Sequence, residues 1–344
     1  MTLRVLRAGL LATVQDLGRA GLQHLAIAPG GAMDAVSHRI ANALVGNFRD
    51  AATLEIALVG PELAFERDAL VALHGARFEP LLDGAPMPVA RPVLVRAGAR
   101  LAVGRAVEGA FGYLAVAGGI EVAPVLGSRS TYLPGAFGGL GGRALQAGAV
   151  LPLAPDVAEV SAWRFERLAR GGRTTAVAGT TATSVRWSAP MLTLPATDPL
   201  VIRVVDGVHA ELFDEPSRAA FLRERWRVAA DSNRMGYRLA GPKLAAAVSR
   251  DIQSQGVCLG TVQVPAGGQP IVLMADRQTT GGYPRIAEAI SADAPRLAQA
   301  APGTATVRFE RATLEAADAA RGELARRVSE LVERLRWEFG DEVH

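Results

Sequence analysis

The first 190 residues consist of short apolar runs separated by glycine and proline. The chain has 344 residues, of which 37 are Gly and 20 are Pro, and most runs between them are too short for an ordinary helix. Short apolar runs flanked by turn residues, such as Asp83-Gly84, are typical of strands. The sequence therefore predicts strands at 54–58, 69–73, 92–96, 100–103 and 112–116.

One helix interrupts these strands. Asp34 is suited to be its N-cap, and Val36, Ile40 and Leu44 recur at helical spacing. Gly46 follows at the point where such a helix would end. The sequence therefore predicts a short amphipathic helix after Asp34.

The second half is also rich in strands. A composition break at 155–190, which contains Gly171-Gly172, indicates a junction between two β-rich parts. A helix beginning near Pro216 would have Phe221, Leu222 and Trp226 on its apolar side. The strands predicted in this half are 200–205, 260–264, 271–274 and 305–309.

The chain is predicted to end in a long helix. Leu324, Val328, Leu331 and Leu335 form one apolar stripe at three- and four-residue spacing. We expect this stripe to pack on the helix's own domain. Docking of a partner protein is the alternative, because an apolar stripe near a chain end is easily shared.

Lysine is nearly absent. Of the 37 basic residues 36 are arginine, and Lys243 is the single lysine. Its surroundings, Gly-Pro-Lys-Leu, lack the glycine frame and the hydroxyl residue of a phosphate-binding P-loop. They also do not suit a lysine that carries biotin. The sequence thus predicts no covalently bound cofactor on this chain.

Other classes of site are excluded by cysteine, histidine and charge. The lone Cys258 permits no internal disulfide, and the five histidines form no H-x-H or H-E-x-x-H pattern, so no metal site is predicted. A net charge of +3, with arginines interleaved with acids, does not favour nucleic-acid binding. With neither a signal-peptide pattern nor a long uncharged apolar stretch, we expect a cytoplasmic protein that does not bind a membrane.

Five segments carry more polar side chains than turns require. They are TVQDLGR (13–19), PGGAMD (29–34), GSRSTY (127–132), DSNRMGYR (231–238) and DRQTTGGYP (276–284). In the last one, polar residues follow an apolar strand, an arrangement that can surround a small polar ligand. Arg277 would pair with a carboxylate or phosphate, and Asp276 would act as a base or orient it. An equally supported alternative is an Asp–Arg pair with threonine hydroxyls that satisfy loop backbone groups.

The segment 231–238 has a structural interpretation, and spacing alone favours it. An Asx-type turn at Asp231–Asn233 would lead into a strand with exposed arginines.

Structural interpretations also exist for the N-terminal segments. Gln15 to Arg19 would form a tight turn with an Asp–Arg pair. The amides of Gly30 and Gly31 could hold an anion at a helix N-terminus, but Asp34 as an N-cap competes with that role.

Together and in this order, the five motifs resemble the family of allophanate hydrolase subunit 2 and the carboxyltransferase region of urea carboxylase. Stand-alone members of that family include the C subunit of the bacterial ATP-dependent 5-oxoprolinase and an antagonist of a sporulation-kinase inhibitor. The resemblance extends from about Val5 to about Phe309, and the tail from Thr313 lies outside it.

The resemblance implies a mainly β fold of two tandem cyclophilin-like β-barrel units, with a few helices and a long C-terminal helix. The expected domains are an N-terminal unit at 1–190, a C-terminal unit at 191–312 and a helical tail at 313–344.

The resemblance also implies an enzyme subunit with partners. These are a B subunit, which is similar to allophanate hydrolase subunit 1, and a separate A subunit. Such complexes open 5-oxoproline to L-glutamate with hydrolysis of ATP, used with Mg: the ring amide is phosphorylated and then hydrolysed. This chain is accordingly expected to be part of an ATP-dependent lactam hydrolase.

The candidate site residues are carried over by position in the motifs. Arg234 or Arg277 would hold the substrate carboxylate or a phosphoryl oxygen, and Asp276 would orient a group or transfer a proton. Gln278 and the adjacent threonines would bind the lactam. The catalytic candidates are Asp231, Arg234, Asp276 and Arg277. The substrate-binding candidates are Gln15, Arg19, Gly30, Gly31, Ser128, Arg129, Asn233, Arg238, Gln278, Thr279, Thr280 and Tyr283.

One segment departs from the family pattern. Family members typically have an acidic residue and a proline where this chain has Gln255 and Leu259. If that acid contributes to catalysis, either the substrate differs here or this chain is regulatory. Two other functions therefore stay open: carboxyl transfer from carboxybiotin to urea or a similar amide, and regulatory binding of the B-subunit homologue.

Overall fold

The computed structural model describes residues 2–170, 172–246 and 252–340. Strands predominate, a few helices accompany them, and a long helix follows the last strand, so the predicted mainly β class is confirmed. The chain forms two compact units. The first contains 1–18, 34–194 and 327–344, and the second contains 19–33 and 195–326. The domain limits expected at 190 and 312 stay predictions.

The first unit is built from two β-sheets. One has six strands in the order β11-β1-β4-β9-β6-β7, and the other has seven in the order β12-β13-β8-β5-β10-β3-β2. The strands are β1 (Thr2–Arg7), β2 (Leu11–Gln15), β3 (Thr53–Ala57), β4 (Glu62–Phe65), β5 (Ala69–Phe78), β6 (Leu81–Leu82), β7 (Ala85–Pro86), β8 (Val93–Val95), β9 (Arg100–Ala102), β10 (Ala106–Val116), β11 (Val150–Pro152), β12 (Thr174–Ala176) and β13 (Thr183–Val185).

The two sheets bury one continuous apolar cluster. On β1 the alternation is plain: Leu3 and Val5 are buried, whereas Arg4 between them is exposed. Leu54 and Ile56 of β3 join the same cluster with no exposed surface. On β1, period-two patterning with one buried face specifies the register, whereas all five residues of β3 are buried.

The helix predicted after Asp34 is confirmed as α1 (Ala35–Leu44). Asp34 is fully buried, and its Oδ1 accepts hydrogen bonds from the backbone N–H of Val36 at 3.1 Å and of Ser37 at 2.9 Å. Its Oδ2 accepts a further bond from the Thr193 hydroxyl at 2.6 Å. The carboxylate thus satisfies free helix N–H groups and also ties the helix to a distant part of the unit.

A second helix, α2 (Val157–Ala169), lies where the sequence indicated only a composition break. Its buried side chains are Val157, Ser161, Phe165 and Leu168. Ser161 accepts a hydrogen bond from the backbone N–H of Leu70 at 2.9 Å, so this helix packs on β5.

The second unit contains a closed barrel with strand order β14-β21-β18-β19-β16-β15-β22. β14 and β22 pair in parallel and the other neighbours pair antiparallel. A separate two-stranded ribbon is formed by β17 and β20. The elements are β14 (Leu200–Asp206), α3 (Glu215–Arg223), β15 (Trp226–Val228), β16 (Gly236–Ala240), β17 (Gln255–Gly256), β18 (Thr261–Gln263), β19 (Ile271–Leu273), β20 (Thr280–Gly281), β21 (Arg285–Ala289), α4 (Ala294–Ala298) and β22 (Thr306–Arg311). The last helix, α5 (Leu314–Glu338), begins in this unit, and its residues from 327 onward belong to the first unit.

Trp226 was expected on the apolar side of the helix that begins near Pro216, and this prediction is wrong. The helix α3 ends at Arg223, and Trp226 opens the next strand. From there its indole N–H donates to the carbonyl of Phe221 at 3.0 Å, one of the helix-end carbonyls that lack a partner within the helix. The Phe221 ring in turn stacks on Phe309, with 4.5 Å between ring centroids.

The long C-terminal helix is confirmed as α5, and its predicted stripe faces inward. Val328 and Leu335 are buried, whereas Leu324 and Leu331 are half-buried. Just beyond the helix, Phe339 is 1% exposed, which continues the buried stripe past the helix end.

No helix among the described residues is both long and apolar enough to cross a membrane.

Replacing the buried cap should destabilise the first unit. We expect Asp34→Ala to lower the free energy of unfolding by about 1–3 kcal/mol, because backbone N–H groups and a buried hydroxyl lose their acceptor. Urea unfolding followed by circular dichroism measures the change. Asp156→Ala is the matched control, since Asp156 is the N-cap of α2 but makes no side-chain cap bond. Equal losses in both variants would contradict this account.

Two buried histidines should make the chain sensitive to acid. Burial lowers the pKa of His38 and of His74 from 6.5 to about 4. Below about pH 6.5 both histidines therefore take up a proton in the unfolded chain, whereas in the folded chain they stay neutral down to about pH 4. The free energy of unfolding should fall across that window by about 1.4 kcal/mol per pH unit for each histidine. Urea unfolding at pH 7, 6 and 5 measures how the free energy of unfolding depends on pH. In His74→Leu this dependence should be smaller by about 1.4 kcal/mol per pH unit, and an unchanged dependence would refute the prediction.

Candidate functional site

The central contact of the second unit's site is a buried ion pair. Arg234 precedes β16, and Asp276 lies in the loop after β19. The Arg234 Nε and Nη2 donate to the two carboxylate oxygens of Asp276 at 2.8 and 2.9 Å, and both side chains are at most 4% exposed. The backbone N–H of Asp276 also donates to the carbonyl of Arg234 at 2.8 Å. The two motifs are thus joined through both side chain and main chain.

A third segment, from the N-terminal part of the second unit, meets this pair. Arg234 Nη2 donates to the carbonyl of Gly31 at 2.7 Å. Gly30 has φ +63°, and a Cβ there would lie 3.4 Å from Nη1 of Arg19 and 3.6 Å from Oδ1 of Asp276. Arg19 itself is 2% exposed. The structure therefore brings together five predicted site residues from distant motifs.

The residues that follow Asp276 face outward from this pair. Arg277 is half-buried, its Nη1 makes only a long 3.4 Å contact with the carbonyl of Met274, and its Nε has no partner among the described residues. Burial lowers the pKa of Arg277. A half-buried guanidinium whose Nε–H has no acceptor among the described residues is suited to bind an anion.

The rest of that loop forms an exposed edge. Gln278 and Thr279 are half-buried, and Thr280 is exposed on β20. The carbonyl of Thr279 accepts from the backbone N–H of Val257 at 3.1 Å. Tyr283, also a predicted site residue, is 51% exposed.

Three other candidates of the 231–238 motif lie on the surface. Asp231 and Arg238 pair at 3.2 Å while 70% and 58% exposed. Asn233 Oδ1 accepts from the backbone N–H of Met235 at 2.8 Å, which is an Asx turn. The turn interpretation therefore describes these residues, whereas Arg234 alone of the motif's arginines turns inward.

The remaining candidates belong to the first unit. Asp16 Oδ1 accepts from the hydroxyls of Ser128 and Ser130, each at 2.6 Å, and Oδ2 accepts from the backbone N–H of Arg129 at 2.5 Å. Gln15 is fully buried and donates to the Thr131 carbonyl at 3.1 Å. These contacts make TVQDLGR and GSRSTY one polar cluster, and a role for it in binding substrate stays a prediction.

The comparison with known proteins identifies the family. The chain matches the carboxyltransferase domain, subdomain A and B, over residues 25–311. It belongs to this family. The resemblance expected from the five motifs is thereby confirmed.

The chain has two curated relatives that are single subunits of similar length. It is 41% identical to the C subunit of 5-oxoprolinase from Escherichia coli over 334 residues, which cover 97% of this chain and 98% of that one. It is 37% identical to the C subunit of 5-oxoprolinase from Haemophilus influenzae over 306 residues, 89% of this chain and 90% of that one.

A solved relative is much larger. The crystal structure of the Kluyveromyces lactis urea amidolyase aligns with a TM-score of 0.83 at 30% identity. The alignment covers 96% of this chain but only 20% of the urea amidolyase chain. The chain is therefore similar both to an enzyme subunit and to one part of a much longer enzyme.

Sequence reasoning did not select Gln263, which lies beside the site. Gln263 ends β18, is 1% exposed, and accepts a hydrogen bond from Gln278 Nε2 at 3.2 Å. Its signal was available, because glutamine side chains are mostly exposed in proteins and this one lies between the buried residues Val262 and Val264. Among the described residues, no group of three or more His, Cys, Asp or Glu could hold a metal ion.

Removing one member of the buried pair should destabilise the second unit strongly. We expect Asp276→Ala to lower the free energy of unfolding by about 3–5 kcal/mol, because Arg234 is left as a buried charge without its carboxylate. The double variant Arg234→Met/Asp276→Ala should lower the free energy of unfolding by less than Asp276→Ala alone.

The exposed pair of the same motif provides the control. Asp231→Ala should change the free energy of unfolding by no more than about 1 kcal/mol. Urea unfolding of wild type and the three variants measures these differences, and a double variant less stable than Asp276→Ala would count against this role of the pair.

Proposed function

We propose that this chain is the C subunit of an ATP-dependent 5-oxoprolinase, which opens 5-oxoproline to L-glutamate. The observation that carries the proposal is the match to the E. coli subunit of that name along 97% of this chain and 98% of the relative. That relative is itself a single subunit, and the match runs along nearly all of it. The urea amidolyase, by contrast, contains the matching region as one fifth of its length.

The contacts support a different division of roles among the site residues from the one expected from the sequence. Arg234 uses its guanidinium on Asp276 and Gly31, so it holds the loop in place. Arg277, whose Nε has no partner among the residues described, is the better candidate to bind the substrate carboxylate or a phosphoryl oxygen. Asp276 in this arrangement fixes the start of the loop that presents Arg277.

ATP, used with Mg, would supply the phosphoryl group that activates the lactam carbonyl. The single lysine, Lys243, lies outside any P-loop pattern, so on this chain phosphate would be bound by arginine and backbone N–H groups. We propose that nucleotide binding is shared with a partner and that this chain carries no covalently bound cofactor.

The partners proposed for this chain are a B-subunit homologue, similar to allophanate hydrolase subunit 1, and an A subunit. The names of the E. coli and H. influenzae relatives describe a C subunit, which supports an assembly with other subunits.

Arg277→Ala should abolish 5-oxoproline-dependent ATP hydrolysis by the reconstituted complex. The variant removes the cation that binds the anionic group, and it should leave the melting temperature unchanged because, among the described residues, the Arg277 side chain makes one long hydrogen bond. Arg227→Ala, a change at an exposed arginine of β15, is the matched control.

Three outcomes distinguish the functions. Turnover by wild type and by Arg227→Ala but not by Arg277→Ala supports both the function and the residue. Unchanged turnover in Arg277→Ala rejects the residue. A stable complex of wild-type subunits without 5-oxoproline-dependent turnover rejects the function and favours regulatory binding of the B-subunit homologue.

Carboxyl transfer to urea or a similar amide is the second candidate. The shared fold with the K. lactis urea amidolyase, at a TM-score of 0.83, favours it. It requires a separate biotin carboxylase and biotin carrier, so adding those proteins and urea to this chain and measuring carboxylated product tests it directly.

A further inference from the structure

The Gln263 side chain contains a buried hydrogen-bond donor that the folded chain does not use. Gln263 is 1% exposed, and its Oε1 accepts from Gln278 Nε2 at 3.2 Å. Its own Nε2 has no hydrogen-bond partner among the described residues. A buried N–H without an acceptor destabilises the folded chain, so such a group requires an explanation.

Gly281 is the residue that makes room for this amide. A Cβ at Gly281 would lie 2.4 Å from Nε2 of Gln263. Gly281 does not have a positive φ, so the backbone there suits any residue and only space demands glycine. The amide nitrogen is therefore directed at β20, close to Gln278 and the exposed Thr280.

The element above the amide is weakly held. Among the described strands β20 pairs with β17 alone, through Gln255 with Gly281 and Gly256 with Thr280, and one further backbone bond joins Val257 to Thr279. A ribbon with two residues in each strand has little stability of its own. Access of a substrate to Nε2 of Gln263 would require β20 to move aside, and a two-residue ribbon opposes such a movement only weakly.

The chemistry of the exposed edge defines the ligand. A carboxamide presents an N–H donor and a carbonyl acceptor side by side, and its oxygen has a second lone pair beyond the one used by Gln278. A lactam ring holds its own N–H and C=O on the same side, so the two amides can form two antiparallel hydrogen bonds. Arg277 beside this edge offers a cation to a carboxylate attached to such a ring.

We propose that Gln263 binds the amide group of the substrate, donating from Nε2 to the lactam carbonyl and accepting the lactam N–H at Oε1. This inference rests on the proposed function and adds the residue that recognises the ring. The assignment explains why a strand of the barrel has a buried glutamine and why the residue next to its Nε2 is Gly281. In the free protein, a buried donor without an acceptor lowers the stability of the fold. Substrate binding supplies the acceptor.

Two substitutions test the proposal in the reconstituted complex. Gln263→Met keeps the size of the side chain and removes the amide, and we expect KM for 5-oxoproline to rise about 10-fold. Gly281→Ala pushes the flexible end of Gln263 aside and should raise KM in the same direction. Gly256→Ala, on the paired strand, is the matched control, because a Cβ there meets nothing within 4 Å.

Thermal unfolding of the same variants separates binding from a structural role. Gln263→Met should melt at about the same temperature, since it removes the buried Nε2 donor without an acceptor together with one 3.2 Å bond from Gln278. A lower melting temperature with unchanged KM would show that Gln263 is structural and would overturn the proposal. Equal KM values for Gly281→Ala and Gly256→Ala would also overturn it.

The result also distinguishes this inference from the function on which it rests. Wild-type complex without 5-oxoproline-dependent turnover rejects the function, and the assignment of Gln263 falls with it. Active wild type with a normal KM in Gln263→Met rejects the assignment alone.

Discussion

The bidentate pair of Arg234 and Asp276 is the contact on which the second unit's site depends. Burying two charges is costly, and here the cost is offset by two short charge-assisted bonds and a third to the Gly31 carbonyl. Because the three partners come from three distant motifs, the pair fixes their positions together. The loop that leaves Asp276 then has a defined start, which places Arg277 and Gln278 at the edge of the barrel.

The site combines groups that are fully satisfied with groups that are not. Arg234 and Asp276 satisfy one another, whereas Arg277 Nε and Gln263 Nε2 have no partner in the part of the chain described. Satisfied buried polar groups give a rigid frame, and unsatisfied ones lower stability unless a ligand completes them. The division is consistent with a frame made by the pair and a binding edge made by Arg277, Gln278 and Gln263.

Much of the fold could be predicted from local patterns, and the failures have physical causes. The N-cap at Asp34 was predictable because capping uses a side chain and N–H groups two and three residues away. The helix α2 was missed although Val157, Ser161, Phe165 and Leu168 have helical spacing, since a serine at a core position weakens an apolar pattern. Trp226 was assigned to a helix because it follows Leu222 by four residues, whereas the helix ends at Arg223 and Trp226 reaches Phe221 from a strand.

The sequence by itself determined the class of fold, the motifs and the family, because these depend on residue types and short spacings. It did not determine which arginine of DSNRMGYR would be buried. Arg234 and Arg238 are four residues apart and equally charged, and only Arg234 has a buried carboxylate to meet it, 42 positions further along the chain. Tertiary structure likewise decided that Gln263 would have an unused donor beneath Gly281. Burial of a polar group is decided by its partners, and partners that are distant in sequence become neighbours only when the barrel closes.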